Sequence, residues 1–234
     1  MKFIVFFLLF NTLFANQGVE AYKNHDYQKA ITFWQQDIRS NQYEKSELFF
    51  NIGNAYFKQK KYVEAILFYN KSLKENYNYL KAKTNLDLAI EKQKISEFTI
   101  QNDFLDFFKR LVYFFKLHHL QWIIIFCLWC LSGIFILNRF YPFPKKRIVT
   151  LFFSTMLILA SINLYFLYQF QNAENKAVVK EPTEGFEDIN LTKSKKNFKG
   201  GETIEIIDQL KNASQIKISD GQILWISNSK IYNI

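Results

Sequence analysis

Four hydrophobic rhythms succeed one another along the chain. A short apolar run, Phe3 to Phe10, follows Met1-Lys2, and from residue 16 to about 94 apolar positions recur every three or four residues, the helical period. Residues 103 to 117 continue that period with an aromatic stripe. Two long apolar runs follow, Leu120 to Leu137 and Ile148 to Phe170. After residue 176 the rhythm shortens to short β-rich runs separated by turn residues. The pattern predicts a multidomain membrane protein: all-α helical repeats, a two-helix transmembrane hairpin and a small all-β barrel.

As helices the two long runs would reach roughly 27 and 34 Å against a hydrocarbon core of about 30 Å, so each spans once. The segment joining them, residues 138–147, carries Arg139, Lys145, Lys146 and Arg147 and no acid. By the positive-inside rule these four cations place the turn in the cytoplasm and both flanking domains on the opposite side. Pro142 and Pro144 break the helix where the chain reverses. Residues 1–15 read as an export signal with a basic start and an apolar centre, predicting cleavage after Ala15. Leu13 departs from the small-x-small cleavage pattern, which leaves an uncleaved anchor as the alternative. Both versions put the N-terminal domain on the exported side.

Within residues 16–102 the chain repeats itself. Tyr27, Ala30 and Trp34 match Tyr62, Ala65 and Tyr69 at a constant offset of about 35, a period that signals paired helices. Phe49, Ile52, Gly53 and Tyr56 supply the first helix of the second pair, the glycine allowing close approach and the aromatics filling the space around it. These positions resemble the tetratricopeptide (TPR) repeat, with Ala30, Trp34, Gly53, Tyr56, Tyr62, Ala65 and Tyr69 as its packing residues. Asn76-Tyr77-Asn78 stands where the repeat's closing proline is usual, and Asn tolerates such a turn. A third helix, Tyr79 to about Lys94, carries Ala82, Leu86 and Ala89 on one stripe and is suited to covering the end of the stack. The resemblance implies a partner-binding groove on the inner face of the first helix of each repeat, here Glu47, Phe50, Asn54, Phe57 and Lys58, with packing alone as the competing role. Ala15 and Val19 stand where a carboxylate-clamping relative would carry Lys and Asn, so no such clamp is expected.

Residues 103–117 predict an amphipathic helix in the membrane interface, capped by Asn102-Asp103, with Phe104, Phe107, Phe108, Leu111 and Phe115 on its apolar face. The competing role for those aromatics is to cover the repeats. The first span, 118–137, contains Cys127 and Cys130; hydrocarbon denies a redox dithiol both water and a lowered pKa, so they read as lipid-facing or packing residues. They are the only cysteines, and the exported parts therefore rest on packing without disulfides. His118 and His119 point about 100° apart on a helix and His25 falls in a turn, which gives no metal site. In the second span, 148–170, Asn163 is the single amide at depth, suited to a bond across the hairpin or to a partner's helix.

A polar linker, 171–176, leads into a β domain over 177–234. Ala177 to Val179, Thr203 to Ile207, Gln215 to Ile218, Gln222 to Ile226 and Lys230 to Tyr232 predict about five strands, with Asp220-Gly221 as a hairpin turn. Phe198, Gly200-Gly201, Ile204, Ile206, Ile216, Ile218, Asp220-Gly221 and Trp225-Ile226 follow an order that resembles the bacterial SH3 domain. That family usually has tryptophan near Ala213 and glycine where Leu224 stands. The missing tryptophan removes part of a ligand groove, so a retained fold without peptide or peptidoglycan binding is expected. A cell-wall factor that grips peptidoglycan through this domain is the alternative.

Composition changes little in this picture. The chain has 234 residues, a formal charge of +9 and 18% aromatics. No compact Lys/Arg stripe lies outside the membrane flanks, so nucleic acid is not an expected partner. There is no nucleophile and base pair, no metal-ligand spacing and no phosphate-cradling glycine loop, so neither enzymatic activity nor a cofactor is expected. Taken together, the order of signal, TPR units, aromatic helix, membrane hairpin with basic turn and SH3-like domain resembles the Bacteroides aerotolerance (Bat) operon family in its TPR-bearing, BatE-type members. That resemblance implies a bacterial inner-membrane protein with both terminal domains in the periplasm. It would work beside von Willebrand factor A-type membrane proteins and a MoxR-type AAA+ ATPase in envelope stress tolerance or aerotolerance. The residues themselves support an assembly scaffold whose repeats recruit protein partners near the membrane.

Overall fold

The computed structural model describes residues 17–40, 43–95, 103–115, 117–140, 145–173, 175–218 and 221–234. The expected signal, residues 1–15, lies outside them, as do Asn102, Asp220 and both prolines of the basic turn. The chain divides into two compact units: one joins the N-terminal helices to the C-terminal strands, and the other holds the segment between them.

The first unit begins with α1, residues 17–23, and α2, Tyr27–Ser40, followed by α3, Lys45–Lys58, α4, Tyr62–Glu75, and α5, Leu80–Gln93. α1 with α2 and α3 with α4 are the two expected helix pairs. In each pair a glycine lies under an aromatic ring. A Cβ on Gly18 would come within 2.4 Å of the Trp34 indole, and one on Gly53 within 2.6 Å of the Tyr69 ring. The pairs also turn alike. His25 and Lys60 adopt left-handed φ of 61° and 62°, and the next residues, Asp26 and Lys61, donate their N–H groups back to Ala21 O and Tyr56 O at 2.9 and 3.0 Å. These are the bonds of a helix C-terminus closed by a left-handed residue. Asn76 shapes the turn into α5, its Oδ1 accepting from Asn78 N–H at 3.2 Å.

α5 closes in the same way, with Lys94 at φ 58° and Ile95 N–H bonded to Ile90 O at 3.3 Å. It is therefore built like the first helix of a third pair. Strands, rather than a further helix, cover it. Val178 and Ile95 share one buried cluster with Ala65, Ile66, Tyr69 and Ala89, and Tyr232 and Ile234 pack on its margin. Polar bonds reinforce the contact: Gln93 Nε2 donates to Gly200 O at 3.1 Å, Lys199 Nζ to Lys94 O at 3.2 Å and Lys74 Nζ to Ile234 O at 2.6 Å. The exposed end of the helical stack is closed by the C-terminal strands, as a solenoid end requires.

Seven strands form that β part: β1, Lys176–Val179; β2, Thr183–Phe186; β3, Ser194–Phe198; β4, Thr203–Gln209; β5, Ala213–Lys217; β6, Ile223–Ser227; and β7, Ile231–Asn233. All pairings are antiparallel in the order β3-β2-β6-β5-β4-β1-β7, an open sheet with β3 and β7 at its edges. A 3-10 turn, Asn228–Lys230, precedes β7. The expectation of about five strands missed β2 and β3, which lie between the expected strands at Ala177 to Val179 and Thr203 to Ile207. Apart from Gly185 and Phe198 neither strand has a buried residue, so neither shows the alternation that marks a half-buried strand. Ile204, Ile216, Leu224, Ile226 and Ile231 form the core of this part with Val179 and Phe198.

The second unit contains α6, Asp103–Val112, α7, Leu117–Phe140, and α8, Lys146–Ala173. α7 and α8 pack on one another, with Cys127 buried and Phe126 edge-on to Phe153 at 6.1 Å between centroids. Segments of both, His118–Asn138 and Arg147–Phe170, are long and apolar enough to cross a membrane. Of the α6 aromatics, Phe108 packs on Phe166 and Phe170 of α8, whereas Phe104 and Phe107 are exposed, as is Phe115, which lies beyond the helix end at Val112 rather than within the expected helix of 103–117.

Candidate functional site

The expected groove residues all lie on α3, and the structure divides them into two kinds. Glu47 and Lys58, near its ends, are exposed; Phe50, Asn54 and Phe57 between them are half-buried. Phe50 sits between Tyr69 of α4, at 6.1 Å, and Tyr79 at the start of α5, at 5.2 Å. Phe57 meets Tyr62 edge-on at 5.3 Å. Asn54 is the junction of the three helices: its Oδ1 accepts from the Tyr69 hydroxyl and from Asn85 Nδ2, both at 2.8 Å. This leaves the amide's N–H groups, the edges of two phenyl rings and the two end charges as what the face offers a partner.

Local sequence explains the arrangement. The positions at 47, 50, 54 and 58 recur at helical spacing and form one stripe, next to the stripe of Ile52 and Gly53 that enters the core. Gly53 lets Tyr69 lie flat against α3, which brings the Tyr69 hydroxyl to Asn54. Burial pushes the Tyr69 hydroxyl well above the usual phenol range. Tyr79 is raised as well, first by burial and then by the Glu47 carboxylate. A buried hydroxyl bonds Ser72 Oγ to Ser46 O at 2.6 Å and ties the end of α4 to the start of α3. On the outer side of α4, Lys71 lies over the Phe68 ring at 5.6 Å, and its pKa is lowered by burial and by neighbouring Lys74.

The packing set behaves as one group. Ala30, Trp34, Gly53, Ala65 and Tyr69 are buried, while Tyr56 and Tyr62 are half-buried, Tyr56 stacked on Phe68 at 5.4 Å. Asn85 and Tyr79 were not anticipated as parts of this face. The signal for Asn85 was available: it is an amide adjoining the Ala82, Leu86, Ala89 stripe.

A second surface lies on the strands. Gly200 and Gly201, expected as part of a β-domain signature, abut the helices. A Cβ on Gly200 would come within 3.4 Å of Val63, and one on Gly201 within 2.7 Å of Ile95 and 3.1 Å of Ile66. Gly201 also has φ +98°, which side chains rarely adopt. Ala213 and Leu224, where the SH3 resemblance calls for other residues, are both buried. On the β2–β3 hairpin, Glu187 takes both Lys193 and Lys195, at 2.6 and 2.7 Å, and these partners hold its carboxyl down to about 2. As an exposed cluster it contributes little to stability.

Of the cations expected to set topology, Arg139 lies in the last turn of α7, Lys145 in the turn before α8, and Lys146 and Arg147 in the first turn of α8. Among the described residues no group of His, Cys, Asp or Glu is placed to hold a metal ion.

Residues 46–76, which span α3 and α4, match the tetratricopeptide repeat family. No curated protein matches the chain. Tetratricopeptide repeats generally mediate protein–protein interactions, and the stripe from Glu47 to Lys58 lies inside the matched segment.

Proposed function

We propose that the protein is a membrane-tethered scaffold whose α3 face recruits a segment of a protein partner on the exported side of a bacterial inner membrane. The observation that carries this reading is the core shared by the helical repeats and the strands. The pair α7 and α8 interrupts, in sequence, a body built from residues on both sides of it. Two halves with one buried core must lie on the same side of any membrane, so the intervening chain crosses an even number of times. That agrees with the two apolar helices and with a cytoplasmic turn holding Arg139, Lys145, Lys146 and Arg147. An export signal at residues 1–15 supplies the matching start.

The β part is read as an SH3-like fold whose sheet stays open where a closed barrel was expected, on the strength of its β4-β5-β6 meander and of β7 returning beside β1. Its role here is to close the repeat stack. No chemistry is required of the molecule, and the reading is of a non-enzyme. The resemblance to the Bat operon family makes von Willebrand factor A-type membrane proteins and a MoxR-type ATPase the first partners to seek, and envelope stress or aerotolerance the first phenotype to measure.

The test uses the exposed ends of the stripe, since Phe50, Asn54 and Phe57 also hold α3 to its neighbours. Co-purification from crosslinked cells is compared between wild type and a Glu47→Lys, Lys58→Glu double variant. Loss of the main partner with unchanged expression supports the face; unchanged recovery sinks it. Sidedness is read separately in a Cys127→Ser, Cys130→Ser background, by an impermeant maleimide on intact spheroplasts. Lys58→Cys and Ser229→Cys should label, and Lys145→Cys only after permeabilisation.

A further inference from the structure

Beside α6, α7 and α8 a cleft of about 390 Å³ is lined by Phe108 and Leu111 of α6, Ile123 of α7 and Met156, Ala160 and Phe166 of α8, among others. The one amide in its wall, Asn163, keeps its Oδ1 buried. That volume is too small for a helix about 10 Å across, and it lies at the lower end of the range of small-molecule sites, about 300–1,000 Å³. From Phe166 to Met156 the wall follows α8 for about 15 Å, half of the roughly 30 Å hydrocarbon core. Its outer end lies one turn inside Phe170, where the apolar segment of α8 stops, and its inner end lies near that segment's middle. In depth and lining this is the space of one acyl chain in one leaflet, walled by three helices.

α6 sits over the outer end. Phe108 packs edge-on against Phe166 at 5.2 Å, Tyr113 stacks on Phe170 at 6.5 Å, and Val112 is buried with Leu120 and Leu167. The last turn of α6 therefore lies at the level where headgroups meet hydrocarbon, and that turn carries Lys109 and Arg110. Lys109 Nζ lies over the Phe170 ring at 5.5 Å, and Arg110 is exposed. Cations beside the exported end of a span run against the charge bias that orients membrane proteins, so they do not serve topology there. A basic pair at the outer end of an apolar cleft matches a phosphate above a hydrocarbon chain. We propose that the cleft holds one acyl chain of an anionic phospholipid from the exported-side leaflet, with Lys109 and Arg110 at its phosphate. A chain seated there fills the space beneath α6 and ties that helix to the hairpin, so the lipid stabilises the unit that carries it.

This inference rests on the membrane reading above, and the experiment keeps the two apart. Carbonate extraction of membranes reports whether the chain is integral; release would overturn the membrane reading and this proposal with it. For an integral chain, native mass spectrometry of the full-length protein in mild detergent, titrated with phosphatidylglycerol or with phosphatidylcholine of the same acyl chains, reports the site. Wild type should retain one phosphatidylglycerol and bind it about tenfold or more tighter than phosphatidylcholine. K109Q/R110Q should bind the two equally, and A160F, whose ring fills the cleft, should retain neither. Helical circular dichroism checks that both variants fold; if A160F does not, Leu111→Trp, at the exposed rim of the cleft, replaces it. No retained phospholipid, a wild type indifferent to headgroup, a preference that survives K109Q/R110Q, or retention unaffected by the cleft-filling variant would each overturn the proposal alone.

Discussion

The two compact units use hydrophobic residues in opposite ways. In the body of repeats and strands the large side chains point inward: Ile31, Ile52, Ile66, Tyr69, Ile216 and Ile226 are fully buried. In the helical pair they point outward, with Trp129 at 76% and Phe135 at 82% of their surface exposed. In the body Gly18, Gly53 and Gly201 each lie where a Cβ would strike a neighbour, whereas among the described residues Gly133 in α7, like Gly221 between β5 and β6, has nothing within 4 Å. A surface so apolar calls for lipid or a partner rather than open water, which the inward packing of the body does not. The body is made by fit between elements, and the pair by composition along each helix.

The comparison can be broken hardest at Val178, which lies at 0% exposure in the core shared by helices and strands. Val178→Asp is expected to cost about 3 to 5 kcal/mol through an uncompensated buried charge. In thermal unfolding, in a background with Trp34, Trp122 and Trp129 changed to Phe so that Trp225 alone reports, helical circular dichroism and Trp225 fluorescence should fall together. Loss of the Trp225 signal with intact helices would show that the strands are a separate domain. Gly201→Ala comes next, expected to lower stability by about 2 kcal/mol from its left-handed backbone and the clash with Ile95. It should expose the α5 end to limited proteolysis. Gly53→Ala would place its Cβ 2.6 Å from the buried Tyr69 ring, so the crowding falls toward the upper end of about 1 to 3 kcal/mol and outweighs the helix-propensity gain of about 1 kcal/mol; a denaturant midpoint should move down.

Tyr69→Phe keeps the ring on Gly53 and removes the bond to Asn54, at a cost of about 1 kcal/mol. It also changes the pH profile. Because burial raises the folded pKa of Tyr69, its contribution is complete below pH about 10 and is lost as pH climbs from there toward the folded value. The variant should therefore lose less stability than wild type in that alkaline window. Gly133→Ala is the smallest change and sharpens the contrast from the other side: with open space around it, melting of the body and membrane integration should both stay at wild-type values.

Much of this organisation is legible in the residues. The offset between Tyr27 and Tyr62, and between Trp34 and Tyr69, announces the helix pairs because a repeat encodes its packing within one period. Gly53 beside Tyr56 is legible for the same reason. The β2–β3 hairpin was hidden, since strands with both faces largely exposed carry no alternation. Asn54 illustrates a different limit. Its place on the α3 stripe follows from spacing, but spacing cannot tell that Tyr69 and Asn85 converge on its oxygen. Gly200 and Gly201 likewise announce a close approach without naming what approaches.

The sequence by itself determined the elements: two helix pairs with their glycine and aromatic contacts, two apolar helices with a basic turn between them, and a strand-forming C-terminus. Each depends on a period or composition within a few tens of residues. Only the tertiary structure decided that the strands close the end of the helical stack, that Val178 shares a core with Ile66 and Ile95, and that among the described residues the Asn163 oxygen has no donor. Those outcomes depend on complementary surfaces from distant parts of the chain, and hydrophobic pattern marks a face for burial without specifying its partner.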